Sequence, residues 1–348
     1  MLTSVIQIGV LGTCSFFVAT ALTPLVTHFL YKYKIGKQIR GAGHTPIFSA
    51  LHEKKRGTPT MGGILIWGTV LIVTFSFAFI STLVAPHPIA KLDFFVRSET
   101  FLPLGMMIFA ALIGLIDDLW GIKGKGKNED GIRFRYKIVW YLLIGLVGGL
   151  WFFYKLNWDV VTIPLMGTYA IHGWYIPLFM FIITATGVSV NETDGLDGLA
   201  GGVLLCAFVA FGAIAFATGK VNLAALCAVI SGALLSFVWF NIPPARFYMG
   251  DTGSMALGVT LGVIAMLTNS LFLLPIIGII FVAEALSVIL QILSRRLRNG
   301  KKIFKSAPLH HHLEAIGWSE PKIVMRFWVI SGVFSVLGII IALIDMKI

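Results

Sequence analysis

Five aspartates in this sequence could act together on one chemistry. Asp117 and Asp118 are adjacent near the end of one apolar run, Asp194 and Asp197 follow a second, and Asp251 precedes a third. Carboxylates beside a membrane core are costly and tend to be functional. A cluster of them repels itself unless a cation sits among them. Magnesium suits such a place, because it takes one or two carboxylates, keeps waters and bridges to substrate phosphates. Each acid alone reads equally well as a solvated helix end; the combination favours a shared site. Adjacent aspartates project about 100° apart on a helix, so Asp117 and Asp118 are expected to have different partners, one a metal and the other a phosphate or a lysine.

Other chemistry-bearing groups accompany them. Glycines crowd the stretches Asn191–Gly202 and Met249–Ser254, and glycine lets backbone approach a ligand closely. A helix starting near Ser254 would offer N–H donors to an anion. The segment Lys54-Lys-Arg-Gly-Thr-Pro-Thr-Met-Gly-Gly63 could hold a diphosphate or simply flank a membrane span. His310, His311 and His312 are consecutive, with Glu314 close by. That spacing does not suit a zinc site, and the imidazoles read as hydrogen-bond donors to phosphate. Glu284 lies inside an apolar run and reads as a neutral, hydrogen-bonded structural residue in preference to part of an ion path.

The elements that must position these groups are membrane helices. Hydrophobic residues make up 57% of the 348 residues and charged residues 12%, about half the charge of a soluble domain. Ten candidate spans run roughly over 5–30, 62–84, 102–119, 138–155, 174–190, 199–217, 221–240, 254–271, 273–293 and 325–344. The expected fold is therefore an all-α membrane protein with ten transmembrane helices in a single domain over 1–348. Cys14, Cys206 and Cys227 all fall inside apolar runs and read as small buried hydrophobes.

Charge sets the orientation. The first run has no basic segment before it, contrary to a cleaved signal peptide. With the N-terminus outside, 22 of the 27 Lys and Arg fall in cytoplasmic loops; the exceptions are Lys91, Arg97, Lys155, Lys220 and Lys347. Basic loops mark the cytoplasmic side, so both termini are expected outside and all five aspartates at cytoplasmic helix ends. The net charge of +11 is accounted for by this asymmetry and not by nucleic-acid binding. A transporter would place its ionisable residues near the bilayer midplane in broken helices; acids at helix ends favour surface chemistry.

These motifs carry a resemblance. Gly57-Thr-Pro-Thr-Met-Gly-Gly63, Asp117-Asp118, Asn191 through Gly198, Phe247-Tyr-Met-Gly-Asp-Thr-Gly-Ser254, Ala307-Pro-Leu-His-His-His-Leu-Glu314 and Gly317-Trp-Ser-Glu-Pro-Lys322 resemble the phospho-N-acetylmuramoyl-pentapeptide-transferase family, within the polyprenyl-phosphate N-acetylhexosamine-1-phosphate transferases. The resemblance implies transfer from UDP-N-acetylmuramoyl-pentapeptide to undecaprenyl phosphate, releasing UMP, in the first membrane step of peptidoglycan synthesis. It implies ten helices in the bacterial inner membrane, an active site facing the cytoplasm, a homodimer and a requirement for Mg2+. By the same resemblance Asp251 matches the magnesium ligand, with Asp117 and Asp118 near the metal and the lipid phosphate. Lys55 and Thr60 match nucleotide contacts, and Lys137 a phosphate contact. Asn191, Asp194, Gly195, Leu196 and Asp197 fall where substrate binds, and His310, His311 and His312 on the catalytic face. Val188 and Glu192 depart from the common pattern.

Overall fold

The computed structural model describes residues 1–33, 57–84, 87–96, 99–124 and 131–346. Apolar runs in hydrocarbon must satisfy their own peptide groups, and here they do so as helices. In chain order these are α1 (Leu2–Lys32), α2 (Gly63–Val84), α3 (Phe101–Ile122), α4 (Phe134–Lys155), the strands β1 (Val160–Ile163) and β2 (Gly167–Ala170), then α5 (Tyr175–Thr193), α6 (Leu199–Ala217), α7 (Val221–Asn241) and α8 (Gly250–Leu267). α9 (Leu274–Ile277), α10 (Ile279–Leu297), α11 (Leu309–Ala315) and α12 (Glu320–Asp345) complete the set.

Among the described residues nine helices, α1 to α8 and α12, are long and apolar enough to cross a membrane. The chain is a multi-pass membrane protein. The expected span 273–293 is the exception. It is broken at Gly278, and its two parts, Leu271–Ile277 and α10, meet at 83°. The composition of α10 suits this break. Its buried residues include Glu284, Ser287, Gln291 and Ser294, while Leu286, Ile289, Leu290, Leu293 and Leu297 are exposed. A helix with polar residues inward needs polar partners, and it finds them in the loop that follows. Gln291 Oε1 accepts the N–H groups of Ile303 and Phe304 at 3.0 Å, and Ser294 Oγ donates to Lys301 O at 2.9 Å.

The all-α expectation needs one correction. The connection after α4 contains a small antiparallel hairpin, with Val160 opposite Ala170 and Ile163 opposite Gly167. Its first strand is a short β-branched run, Val-Val-Thr-Ile, which suits a pleated strand.

α8 is the centre of the bundle. Every residue of it is buried except Asp251, which lies in its first turn. α3 packs tightly on that turn because Gly114 faces it: a Cβ at Gly114 would lie 2.3 Å from Asp251 O. Small residues at helix contacts allow such close approach.

The helix directions follow from cross-contacts. α1 runs parallel to α7, joined by Ser15 Oγ to Val229 O at 2.6 Å and by Thr20 Oγ1 with Ser236 Oγ at 3.0 Å. α1 ends where the Tyr31 hydroxyl donates to Arg246 O. α12 ends at the hairpin, where Leu165 N donates to Asp345 Oδ1 at 2.7 Å. Leu2 and Asp345 therefore share the end of the bundle opposite Asp251.

Candidate active site

Asp117, Lys137 and Asp251 come from three helices and meet at one point. Lys137 Nζ lies 2.5 Å from Asp117 Oδ2 and 2.8 Å from Asp251 Oδ2. The side chains of Asp117, Lys137 and Asp251 are only 1%, 12% and 14% exposed. One ammonium is shared by two carboxyl groups in a place with little water, where charge interactions are strong. Asp117 is held further by the backbone N–H of Ile132, which donates to its Oδ1. Asp251 is held by Asn191 at the end of α5, whose Nδ2 donates to Asp251 Oδ1 at 2.5 Å and to Ser254 Oγ at 2.9 Å.

The neighbouring aspartates serve the start of α8. Asp118 Oδ2 accepts Thr252 N at 3.0 Å, and Asp194 Oδ2 accepts Gly250 N at 3.1 Å. The first N–H groups of a helix have no partner within it, and carboxylates there also meet the positive end of the helix dipole. Asp117 and Asp118 thus have separate partners, as their angular offset requires. One expectation is corrected here. The helix begins at Gly250, not near Ser254, because Asp118 and Asp194 cap it earlier; the N–H groups of Gly250 and Thr252 are already engaged. Asp117 and Asp118 lie near the end of α3, as expected, and the helix continues through Leu119–Ile122.

The threonine loop is stitched to the same helix start. Tyr248 N donates to Pro59 O at 2.8 Å, Gly62 N to Tyr248 O at 2.7 Å and Gly63 N to Met249 O at 2.8 Å. This brings buried Thr60 against Gly250, whose φ is +73°. A Cβ at Gly250 would lie 2.6 Å from Thr60 Oγ1 and 2.7 Å from Asp118 Oδ2. Only glycine fits both the backbone angle and the space. Lys55 lies outside the described residues.

Asp197 and Leu196 are buried, and Asp197 bonds to the segment before α8 and to the start of α12. Its Oδ2 accepts Ala245 N at 3.1 Å, and its own N–H donates to Glu320 Oε1 at 2.7 Å. Gly195 lies against His310, with the position of an added Cβ 2.2 Å from Nε2. The short helix α11 carries the three histidines. His310 is fully buried, and its ring Nδ1 lies 3.0 Å from Glu284 Oε2. His311 Nδ1 lies 2.7 Å from Glu314 Oε2. Glu284 is thus hydrogen-bonded, in line with the sequence expectation.

Sequence reasoning did not foresee Ser254, Glu320 or the pairing of Glu284 with His310. For Glu284 a signal existed. Glu284, Ser287, Gln291 and Ser294 recur at helical spacing in an apolar run, which marks one polar face.

Among the described residues no group of three or more His, Cys, Asp or Glu could hold a metal ion. Two carboxylates do converge, however, with Asp117 Oδ2 and Asp251 Oδ2 both within 2.8 Å of Lys137 Nζ. A pair of hard oxygen donors fits magnesium, which completes its shell with water and substrate oxygens.

Comparisons with known proteins bear on this geometry. Residues 100–269 match the glycosyl transferase family 4. Residues 55–66 match signature 1 of phospho-N-acetylmuramoyl-pentapeptide-transferase. Proteins of that name are similar to this chain over almost its whole length. One from Chloroflexus aurantiacus is 40% identical over 91% of this chain and 84% of its own. One from Clostridium novyi is 37% identical over 93% of each. One from a Geobacillus species is 38% identical over 94% of this chain and 95% of its own. With this likeness, and with the carboxylate–lysine cluster at one end of the bundle, the chain belongs to the phospho-N-acetylmuramoyl-pentapeptide-transferase family.

Proposed function

We propose that this chain transfers phospho-N-acetylmuramoyl-pentapeptide from its UDP conjugate to undecaprenyl phosphate, giving UMP and the first lipid intermediate of peptidoglycan. The observation that carries the reading is the meeting of Asp117 and Asp251 on Lys137 at a helix boundary, in a chain similar to transferases over more than nine-tenths of its length. A site at the end of the bundle serves a lipid arriving from the membrane and a nucleotide arriving from water.

The reaction is an in-line displacement. An oxygen of the lipid phosphate attacks the β-phosphorus of the nucleotide-sugar, the bond to the UMP oxygen breaks, and UMP carries away the electron pair. Asp117 orients the lipid phosphate and accepts its remaining proton, a small task because the second pKa of a phosphate ester is near 6. Lys137, held between the carboxylates, lies ready to meet the diphosphate charge. Asn191 and the capped start of α8 fix Asp251 so that little reorganisation accompanies the reaction. Magnesium, held by Asp251 with Asp117, would neutralise the charge that grows on the diphosphate oxygens.

The charge asymmetry of the sequence supports an inner-membrane enzyme with its site facing the cytoplasm and both termini outside. The family resemblance supports a homodimer. The test is to incubate the purified chain with UDP-N-acetylmuramoyl-pentapeptide, a polyprenyl phosphate and magnesium. UMP release that requires the lipid phosphate supports the reading. Transfer from a UDP-N-acetylhexosamine in preference to the muramoyl-pentapeptide would refute the substrate.

A further inference from the structure

The three consecutive histidines are not held alike. Glu284 is completely buried, and its carboxylate accepts from one residue twice. His310 N donates to Oε1 at 3.2 Å, and His310 Nδ1 lies 3.0 Å from Oε2. An ionised carboxylate can only accept, so with Glu284 charged the donor of this contact is His310 Nδ1. A neutral imidazole has one proton; with that proton on Nδ1, Nε2 is an acceptor. His310 Nε2 is buried and has no hydrogen-bond partner among the described residues. It faces the backbone of Gly195, beside the Asp194 that caps α8. A buried polar atom without a partner is costly, and beside a residue that caps α8 it offers a ligand's donor a place to bond.

His312 is held the opposite way. Lys305 N donates to His312 Nδ1 at 3.2 Å. A backbone N–H can only donate, so His312 Nδ1 is bare and its proton is on Nε2. The opposition is built from the same two elements. α10 supplies Glu284 to His310, and through Gln291 it also fixes Ile303 and Phe304, next to Lys305.

We propose that Glu284 is a positioning residue that sets the tautomer of His310, so that His310 Nε2 accepts a hydrogen bond from a hydroxyl or N–H of the nucleotide-sugar and not from, or to, a phosphate oxygen. The identity of that ligand rests on the transfer reading above; the tautomer does not. Within the tract, the tautomer able to donate from Nε2 is then that of His312.

The test is a 15N spectrum of the full chain, labelled at histidine, in lipid bilayers without substrate, with His310 assigned by the signal lost in His310→Gln. The expected result is a protonated Nδ1 and a bare Nε2 for His310. Glu284→Gln removes the charge and replaces one acceptor oxygen by an NH2 that can only donate, so with that NH2 turned to His310 Nδ1 the proton shifts to Nε2; Glu284→Asp keeps it on Nδ1. In the transfer assay Glu284→Gln should raise KM for the nucleotide-sugar about tenfold, the worth of about one hydrogen bond, and leave KM for the lipid phosphate unchanged. Glu284→Asp should recover part of the loss. A wild-type spectrum with Nε2 protonated overturns the proposal, as does an unchanged tautomer in Glu284→Gln. Should that variant not fold, the wild-type and Glu284→Asp spectra decide alone. A chain that releases no UMP refutes the transfer reading and leaves the spectrum as it is.

Discussion

Lys137 and Asp251 are 114 residues apart in sequence, yet Lys137 Nζ lies 2.8 Å from Asp251 Oδ2. This contact joins the first turn of α4 to the first turn of α8, and Asp117 of α3 joins it at 2.5 Å. Three helices are pinned at one end of the bundle by a single ammonium.

Lys137→Met should therefore weaken the fold as well as the reaction. Removing the cation leaves two nearly buried carboxylates facing each other. Breaking a buried ion pair from one side costs about 3–5 kcal/mol. Denaturation in detergent should show a loss of that order, and the double variant Lys137→Met with Asp117→Asn should recover part of it. Equal stability of wild type and Lys137→Met would contradict the pairing.

Gly250→Ala should displace Asp251. The φ of +73° costs an L-residue about 1–2 kcal/mol, and the new methyl would meet Thr60 Oγ1 and Asp118 Oδ2. The expected outcome is a lower melting temperature together with a fall in kcat larger than Thr60→Ala produces. Wild-type turnover in Gly250→Ala would exclude the tight wedge between the threonine loop and α8.

Asp118 acts through the backbone, so its variants should split by hydrogen-bonding capacity. Asp118→Asn keeps an oxygen for Thr252 N and should stay close to wild type in stability. Asp118→Ala loses the cap and about 0.5–2 kcal/mol. Thermal unfolding of the two variants side by side measures the difference. The opposite order would mean that charge, not the acceptor, matters at this position.

Chelation should stop transfer without unfolding the chain. Lys137 itself joins Asp117 to Asp251, and that contact holds the three helix ends. EDTA should abolish UMP release, magnesium should restore it, and the melting temperature should rise with magnesium only as mass action on a binding site requires. Collapse of the fold in EDTA would point instead to a structural metal.

Most of the helical frame was legible in the sequence because an apolar run of about twenty residues has few alternatives in a membrane. The start of α8 was not. Glycines at 250 and 253 weaken a helix by propensity, and the side chains of Asp118 and Asp194, distant in sequence, supply its cap. The broken span was missed because Leu271–Leu293 is apolar throughout apart from Glu284, Ser287 and Gln291, and hydropathy alone does not reveal which face those three share. The aspartates were found by residue type and position. That Asp118, Asp194 and Asp197 spend their carboxylates on backbone N–H groups is a tertiary fact with no local signature. Lys137, by contrast, was named only through the family resemblance, and it proves to be the group on which the other two meet.

Asp251 is the residue of α8 that the bundle leaves partly open, and transfer should depend on it most. The direct measurement is UMP release from UDP-N-acetylmuramoyl-pentapeptide and polyprenyl phosphate, with magnesium, by the wild type and Asp251→Ala at matched folded concentration. Loss of a metal ligand should lower the rate about a thousandfold or more, several kcal/mol of barrier. Wild-type turnover by a folded Asp251→Ala chain would contradict the assignment of the site to the Asp117–Lys137–Asp251 cluster.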